Sequence, residues 1–420
     1  MSTQAHWQLD DWLRWQERLN PREIELGLAR VGDVARRLQL HVGHPPTLTV
    51  AGTNGKGSSA TLAAGILREA GYRTGLYTSP HLLHYRERVA IDGVPVRDEA
   101  LCRAFRAIES VRGETRLTYF EFGTLAALWL FREAGVQAQV LEVGLGGRLD
   151  AVNLVDADVA LITSIGLDHT DWLGPDRDSI GREKAGVLRA GRPAVCADPD
   201  PPASIAAQAL ALGAPLLQVG RDFRFEAGEG AWHWQGPGGD LRNLPLPGLR
   251  GAMQLANAAG AIAAVRALRP KLTVNDAAIR RALPKLQLPG RYQRIGKTLL
   301  DVAHNAEAAQ VLADNLRAER VAGDILLVLG MFADKPVESV VRALSGVSRK
   351  IFVGGLPGPR GLDGAQLADR ASRAGRVPDA VSSDVAGAYA QARAQAQAED
   401  LIVVTGSFMT VAAVAADLHE

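Results

Sequence analysis

The chain has 420 residues, 47% of them hydrophobic and 22% charged, with a mean hydropathy close to zero; this is the composition of a globular protein too long for one ordinary core. Its 47 basic and 46 acidic residues leave a formal net charge of +1, so no broad field exists to hold nucleic acid or an anionic membrane, and an anionic ligand must be bound by local groups. Cys102 and Cys196 are too few for a disulfide framework or structural zinc, no run of 18 apolar residues occurs, and the N-terminal stretch lacks a basic-then-apolar leader, which together predict a cytoplasmic protein.

Leu9 to Leu19 places Leu9, Trp12, Leu13, Trp15 and Leu19 at helical spacing, and Ile24 to Leu38 continues with a second amphipathic pattern; both predict packing helices, with Trp12 and Trp15 as core rather than ring-stacking residues. Thr47 to Val50 predicts a strand, the segment from Gly52 to Ser58 a glycine-rich turn, and Ala60 to Leu67 a helix. Strand, turn and helix in that order cradle phosphate. Gly52, Gly55 and Gly57 let the backbone approach a ligand, and the helix start offers N–H groups and a positive dipole end. Lys56 adds a point charge, and the Ser58 hydroxyl stands where such loops hold magnesium. Two departures from the general phosphate-loop pattern are present: Val50 occupies the position of the first glycine, and Gly57 separates Lys56 from Ser58. A glycine-rich turn without a nucleotide role is the plain alternative; the lysine, the serine and both flanking elements disfavour it.

Thr74 to Tyr77 predicts a short strand ending in Thr78-Ser79-Pro80-His81, which offers Ser79 and His81 beside the phosphate loop or is simply a Ser-Pro turn. Asp98 to Val111 and Tyr119 to Ala134 predict helices. The second opens Tyr119-Phe120-Glu121-Phe122-Gly123-Thr124, a segment that suits either an aromatic ligand or a buried helix end, and patterning favours the latter. Gln139 to Val143 predicts a buried strand carrying Glu142. A carboxylate in an apolar strand is costly unless paired or bound to a cation, which favours a magnesium ligand. The glycines at 144, 146 and 147 lack the following helix of a dinucleotide fingerprint. Val159 to Thr163 predicts another strand, running into Asp168, His169 and Asp171 as a second metal or phosphate corner. Asp178 to Leu188 predicts a short helix whose Arg182, Glu183 and Lys184 read as a solvated charged face.

Alternation continues through Ala194 to Cys196, Ser204 to Leu212 and Leu216 to Val219, then breaks near residues 221–246 into a small β-hairpin excursion. Gly251 to Leu268, containing Gln254 and Asn257, and Asp276 to Leu283 predict helices. Leu288-Pro289-Gly290-Arg291 predicts the domain boundary, separating residues 1–290 from residues 291–420. The fold class predicted is α/β: a phosphate-loop ATPase domain on a mainly parallel sheet, and a second, smaller Rossmann-like α/β domain with strands at Thr298 to Val302, Ile325 to Leu329, Lys350 to Val353 and Leu401 to Thr405. The residues by themselves indicate a nucleoside-triphosphate enzyme with magnesium held by Ser, Glu and His groups at adjacent strand ends. The second domain then brings Arg291, Asp301, His304 and Ser407 over the phosphate loop.

The chain resembles, over essentially its full length, the bifunctional dihydrofolate synthase and folylpolyglutamate synthase branch of the Mur ligase superfamily. The resemblance is carried by the Gly52 to Ser58 loop with its inserted Gly57, Ser79-Pro80-His81-Leu82-Leu83, Tyr119 to Thr124, and Leu141 to Asp150. It extends to Leu167-Asp168-His169-Thr170, Gly181 to Gly186, Leu288 to Arg291, and Leu300 to Asn305. It implies an ATP-dependent ligase that phosphorylates a pteroate or folate carboxylate and joins L-glutamate to it, with dihydropteroate and tetrahydrofolate as substrates. It also implies that Lys56 neutralises the transferred phosphate and that Ser79, Glu142 and His169 hold magnesium. Lys184 matches a lysine that is commonly carbamylated and then ligates a second magnesium, and potassium is a further candidate cation. Asn257, Arg291 and Asp301 match nucleotide-contacting positions alongside Gly52, Thr53, Asn54, Gly55, Lys56, Gly57 and Ser58. His304 and Ser407 match positions linked to glutamate and catalysis, with Lys56 and Lys184 the other catalytic candidates. Pro80, Leu82, Phe120, Phe122, Gly123 and Thr124 are expected against the pterin-bearing substrate. Relatives often read His-Asn-Pro-His-Ala where this chain has His304-Asn305-Ala306-Glu307-Ala308. Three alternatives remain: a folylpolyglutamate synthase without the first activity, a nucleotide-switched binding protein without ligase chemistry, and a cell-wall ligase, which is disfavoured because only about 46 residues precede the phosphate strand. The expected species is a monomer with no nucleic-acid or membrane partner.

Overall fold

The computed structural model describes residues 6–22, 24–319 and 321–418. The chain divides into two compact units. The first runs to His81 and then comprises Tyr85–Gly248 and Leu255–Leu286; the second comprises Leu82–His84, Leu249–Gln254 and the chain from Gln287 onward.

The first unit opens with helices α1 (Leu9–Leu19) and α2 (Ala29–Arg37), and its sheet is built from β1 (Thr47–Ala51), β2 (Thr74–Tyr77), β3 (Val89–Ile91), β4 (Val94–Pro95), β5 (Ala138–Glu142), β6 (Val159–Ile162), β7 (Ala194–Cys196) and β8 (Leu216–Gln218). Helices α3 (Lys56–Glu69), α4 (Asp98–Arg112), α5 (Tyr119–Ala134), α6 (Thr170–Leu173) and α7 (Arg177–Lys184) connect them. The spatial order is β4-β3-β2-β5-β1-β6-β7-β8, parallel from β2 to β8 and antiparallel at the β3 and β4 edge. Every residue of β1, β5 and β6 is buried, as central parallel strands covered on both faces require. Because β2, β5, β1 and β6 run the same way, their carboxyl ends share one edge, where ligand groups collect in doubly wound sheets.

Two predicted boundaries shift. The helix expected over Ile24 to Leu38 begins only at Ala29, since Gly27 holds φ at +148° and donates its amide to the Leu149 carbonyl at 3.1 Å. The excursion expected as a hairpin is a three-stranded antiparallel sheet of β9 (Arg224–Ala227), β10 (Ala231–Gln235) and β11 (Leu241–Pro245), with β10 in the middle. Its third strand buries only Leu241 and Leu244, too short an alternation to be legible. The second unit pairs strands β12 (Gln293–Ile295), β13 (Thr298–Leu300), β14 (Ile325–Leu329), β15 (Lys350–Gly354), β16 (Ala380–Ser382) and β17 (Leu401–Thr405) in the order β12-β13-β17-β14-β15-β16, all parallel except β12. The strands β3, β12 and β16 lie at or near sheet edges and, at three residues each, are too short to announce themselves.

Trp12 is fully buried, and the Trp7, Trp12 and Trp15 rings meet edge-on at 5.1 to 5.8 Å, so these tryptophans pack the core as expected. Gln16, one turn beyond Trp12, is 1% exposed, and among the described residues neither amide atom has a hydrogen-bond partner. An unmatched buried amide costs about 1–3 kcal/mol. Gln16→Met keeps the length and removes the polar atoms. Chemical denaturation should therefore show the variant more stable by about 1–2 kcal/mol, and a loss of stability would show that the amide is paired.

Candidate active site

The phosphate loop joins β1 to α3. Gly52 holds φ at +152°, and a Cβ there would lie 1.8 Å from the Thr163 hydroxyl; Gly55, the N-cap of α3, holds φ at +83°, and its Cβ would lie 2.2 Å from Asn257 Oδ1. Glycine is thus required twice, once to close β1 against the end of β6 and once to admit Asn257, which comes from the helix Ala252–Ala267. The loop is sewn down by hydrogen bonds from the Thr53 amide to the Ser164 carbonyl at 2.6 Å and from the Thr163 hydroxyl to the Asn54 carbonyl at 2.6 Å. Gly57 and Ser58 are buried in the first turn of α3. This is a cradle that side chains would fill, and it fits a phosphate group.

Two lysines meet in this loop. Lys56 Nζ donates to the Gly52 carbonyl at 3.0 Å and to the Thr53 carbonyl at 3.1 Å, while Lys184 Nζ donates to the same Gly52 carbonyl at 2.8 Å. Lys184 is 5% exposed. Burial, and then the neighbouring Lys56 charge, pull its ammonium down to about 7, with Asp168 and Asp150 opposing. Reading Arg182, Glu183 and Lys184 as one solvated face is therefore corrected: Arg182 is exposed beside Asp178, Glu183 pairs with Arg148 at 2.8 Å, and Lys184 points into the protein. The reason is a close approach between loops. A Cβ on Gly147 would come within 2.9 Å of the Glu183 and Lys184 carbonyls, so the glycine-rich loop after β5 presses directly on the end of α7.

Glu142 ends β5, is 4% exposed, and accepts a hydrogen bond from the Ser79 amide at 3.1 Å through Oε2. The Ser79–Pro80 peptide is cis, and Pro80 is exposed. His169 is half-buried with φ at +53°, its amide bonded to Asp168 Oδ1 at 2.9 Å. Asp150, absent from the sequence-based site, is buried, accepts from the Leu145 and Val152 amides at 2.9 and 3.0 Å, and is raised to about 6 by burial against those hydrogen bonds and Lys56. A lone aspartate closing a glycine-rich loop was its only sequence signal.

Of the substrate candidates on α5, Phe120 is half-buried, with its ring against the Gly144 backbone and 5.8 Å from the Tyr77 ring. Phe122 is fully buried, edge-on to Trp15 and Phe105, so its place is the core behind that wall rather than a ligand surface. Gly123 and Thr124 are buried too. Thr124 donates to the Phe120 carbonyl at 2.9 Å, and a Cβ on Gly123 would strike the Tyr85 hydroxyl at 2.6 Å. Leu82, expected beside a pterin, packs in the core of the second unit with Leu300, Val302 and Val411.

The second unit carries the remaining candidates. Asp301 accepts from the Tyr292 and Ala303 amides at 2.9 Å each; burial raises its carboxyl, with the Arg291 charge opposing. The Arg291 guanidinium lies 5.1 Å from the centre of the Phe408 ring. His304 Nδ1 is 2.9 Å from the Val302 carbonyl. Asn305 accepts from the Ala308 amide at 2.9 Å and so opens the helix Ala306–Glu319, which places Ala306 and Glu307 in its exposed first turn. Ser407 is buried, its hydroxyl 2.7 Å from that of Thr410 and accepting from the Thr410 amide at 3.0 Å, which makes it the cap of the helix Phe408–Leu418.

Residues 50–207 match the Mur ligase middle domain, and residues 290–408 match the Mur ligase glutamate ligase domain. Over 412 residues the chain is 45% identical to the dihydrofolate synthase/folylpolyglutamate synthase of Escherichia coli K12, covering 97% of this chain and 95% of that protein. The chain belongs to this family of Mur ligases. Its fold is similar to E. coli FolC in complex with DHPP and ADP, with a TM-score of 0.94 and 44% identity, covering 100% of this chain and 99% of that one. It is also similar to a bifunctional folylpolyglutamate synthase/dihydrofolate synthase with Mn, AMPPNP and L-glutamate bound, at TM-score 0.91 and 46% identity, covering 100% of each chain. As a Mur ligase of this kind, the protein is an ATP-dependent enzyme that binds a divalent metal. None of its described helices is long and apolar enough to cross a membrane. Among the described residues, no three His, Cys, Asp or Glu side chains gather as a metal site. Ser79, Glu142 and His169, the residues expected at magnesium, offer a hydroxyl, a carboxylate and an imidazole. That donor set is chemically suited to a hard cation.

Gly55→Ala should force both a left-handed alanine and a collision with Asn257. The expected loss is about 2 kcal/mol or more of nucleotide affinity, roughly 30-fold, measured by calorimetry with a non-hydrolysable ATP analogue. Gly65→Ala, in open space on the same helix, should bind as wild type and gain about 0.5–1 kcal/mol of stability.

Proposed function

We propose that this Mur ligase joins L-glutamate to dihydropteroate, forming dihydrofolate, and to the γ-carboxylate of tetrahydrofolates, extending a polyglutamate tail. The observation that carries the reading is the convergence of Lys56 and Lys184 on one carbonyl of the phosphate loop. It occurs in a chain matching bifunctional relatives along its whole length.

In the first step a carboxylate oxygen of the acceptor attacks the γ-phosphorus of ATP, ADP leaves, and an acyl phosphate results. In the second the neutral amino group of glutamate attacks the acyl carbon, phosphate departs, and the ammonium proton passes to solvent. Lys56 and the amides of Gly52 to Ser58 neutralise the transferred phosphate, and Asn257, Arg291 and Asp301 hold the nucleotide. His304 serves the glutamate step, while Ser407 supports it through the helix it caps. Phe120 and the turn at Pro80 form the wall for the pterin-bearing substrate. Ser79, Glu142, His169 and Lys184 would hold magnesium, which would supply charge neutralisation at phosphate oxygens, and potassium is a candidate second cation species.

Lys184 acts as a carbamate in this reading. Its amine sits in a buried site beside a second cation, an environment that favours the neutral, nucleophilic form. Attack of that neutral amine on carbon dioxide forms the N–C bond, releases one proton and leaves a carbamate anion that can serve as an oxygen ligand. NMR of protein equilibrated with ¹³C-bicarbonate should show one carbamate resonance, absent from Lys184→Met. The same spectrum in both proteins would remove this part of the proposal. The working species is taken to be a cytoplasmic monomer.

The reaction itself is tested by ADP release from purified protein with ATP and magnesium, supplying dihydropteroate or tetrahydrofolate with and without L-glutamate. Release should require glutamate and proceed with both acceptors. Turnover of tetrahydrofolate alone would reduce the assignment to folylpolyglutamate synthase, and release indifferent to acceptor and glutamate would replace the ligase with a nucleotide switch.

A further inference from the structure

Arg88, half-buried in the first unit, has aromatic rings around its guanidinium. It ends the short turn Tyr85–Arg88 that leads into β3. Its carbonyl accepts from the Thr78 amide at 2.9 Å, its Nε donates to His81 Nδ1 at 2.8 Å, and its guanidinium carbon lies 5.3 Å from the Tyr85 ring centre and 5.5 Å from that of Tyr119. Among the described residues no carboxylate pairs with it. By contrast Arg86, two residues earlier, lies 3.7 Å from Asp98, and Arg30 binds Glu121 at 2.8 Å. A half-buried guanidinium without a counter-ion is costly, and cation–π contact recovers only part of that cost. Nε is spent on His81, which leaves the paired terminal nitrogens, the planar fork that suits a carboxylate.

Its position narrows the ligand. Thr78 and His81, the two residues Arg88 holds, bracket Ser79, whose amide is bonded to Glu142. Tyr119, under the guanidinium, opens the helix that carries Phe120. On the ligase reading this is where the acceptor carboxylate is activated. Dihydropteroate brings one carboxylate, the one that reacts. A folate brings two: the γ-carboxylate that reacts and an α-carboxylate that does not, roughly 5 Å away along the glutamyl carbon chain. That second anion, held close to nucleotide phosphates, needs a cation of its own.

We propose that Arg88 binds the α-carboxylate of the terminal glutamate of a folate acceptor, which makes it a specificity-determining residue for polyglutamylation over dihydropteroate ligation. The proposal rests on the ligase reading above. No bond is made or broken at Arg88; it fixes the end of the glutamyl tail so that the γ-carboxylate meets the activated phosphate.

The test compares wild-type protein, Arg88→Lys and Arg88→Met in ADP release at saturating ATP and glutamate. The acceptors are dihydropteroate, tetrahydrofolate, and tetrahydrofolate with its α-carboxylate converted to a carboxamide. In wild type the carboxamide should lower kcat/KM by roughly 10–100-fold. Arg88→Met should lower the tetrahydrofolate to dihydropteroate ratio of kcat/KM by a similar factor and then discriminate little between acid and amide. Arg88→Lys, which keeps a point charge without the fork, should fall between. Equal use of acid and amide by wild type, a proportionate loss on both acceptors, or an effect confined to the KM for L-glutamate would each overturn the assignment. If Arg88→Met does not fold, as judged by circular dichroism, the lysine variant and the wild-type amide comparison decide. Wild-type turnover of the two natural acceptors tests the ligase reading separately, and the Arg88 assignment falls if that turnover is absent.

Discussion

The carbonyl oxygen of Gly52 takes hydrogen bonds from two ammonium groups, and the site depends on that one acceptor. The arrangement exists because Gly52 has no side chain. Without a Cβ, the ends of β1 and β6 close to a distance at which the Thr163 hydroxyl fills the space a methyl would take. Burial first, and then the Lys56 cation at the same oxygen, shift the protonation equilibrium of Lys184 toward neutrality. A phosphate cradle whose second lysine is easily neutralised follows from backbone packing before any ligand arrives.

Buried charge elsewhere in the first unit is handled differently. Glu121, buried at the start of α5, is held by Arg30 through both oxygens and also caps Thr118. Asp198, 3% exposed, accepts from the Ile165 amide and lies 3.4 Å from Arg177, which also bonds the Ile165 carbonyl. These pairs pin loops at the same sheet edge as the phosphate loop, and Glu121 and Asp198 each have an arginine. Lys184, by contrast, meets a neutral carbonyl. That difference in partner sets Lys184 apart from these ion pairs.

Much of this was legible locally. The strands β1, β5 and β6 announce themselves as β-branched or apolar runs. The phosphate loop shows as glycines before a helix, and Glu142 as a carboxylate where a strand should be apolar. The structure adds a capping box at Thr118 and Glu121 and a helix start at Asn305, so the Ala306 and Glu307 departure falls at an exposed first turn. The tryptophan spacing in α1 correctly indicates packing. Such features depend on residues within a few positions of one another, where propensity and periodicity act.

Lys184 shows what that range leaves out. Its local sequence, with Arg182 and Glu183 beside it, is that of a solvated helix face; only the contact of Gly147 with the end of α7, across more than thirty residues, turns it inward. In the same way Phe122 reads as a candidate ligand contact until Trp15 and Phe105 enclose it, and Leu82 reads as part of a substrate loop until the second unit's core takes it. The sequence by itself determined the longer elements, the phosphate loop and the family. The tertiary structure alone decided which charged groups lose water and which apolar groups are covered, because desolvation depends on segments remote in the chain arriving at one place.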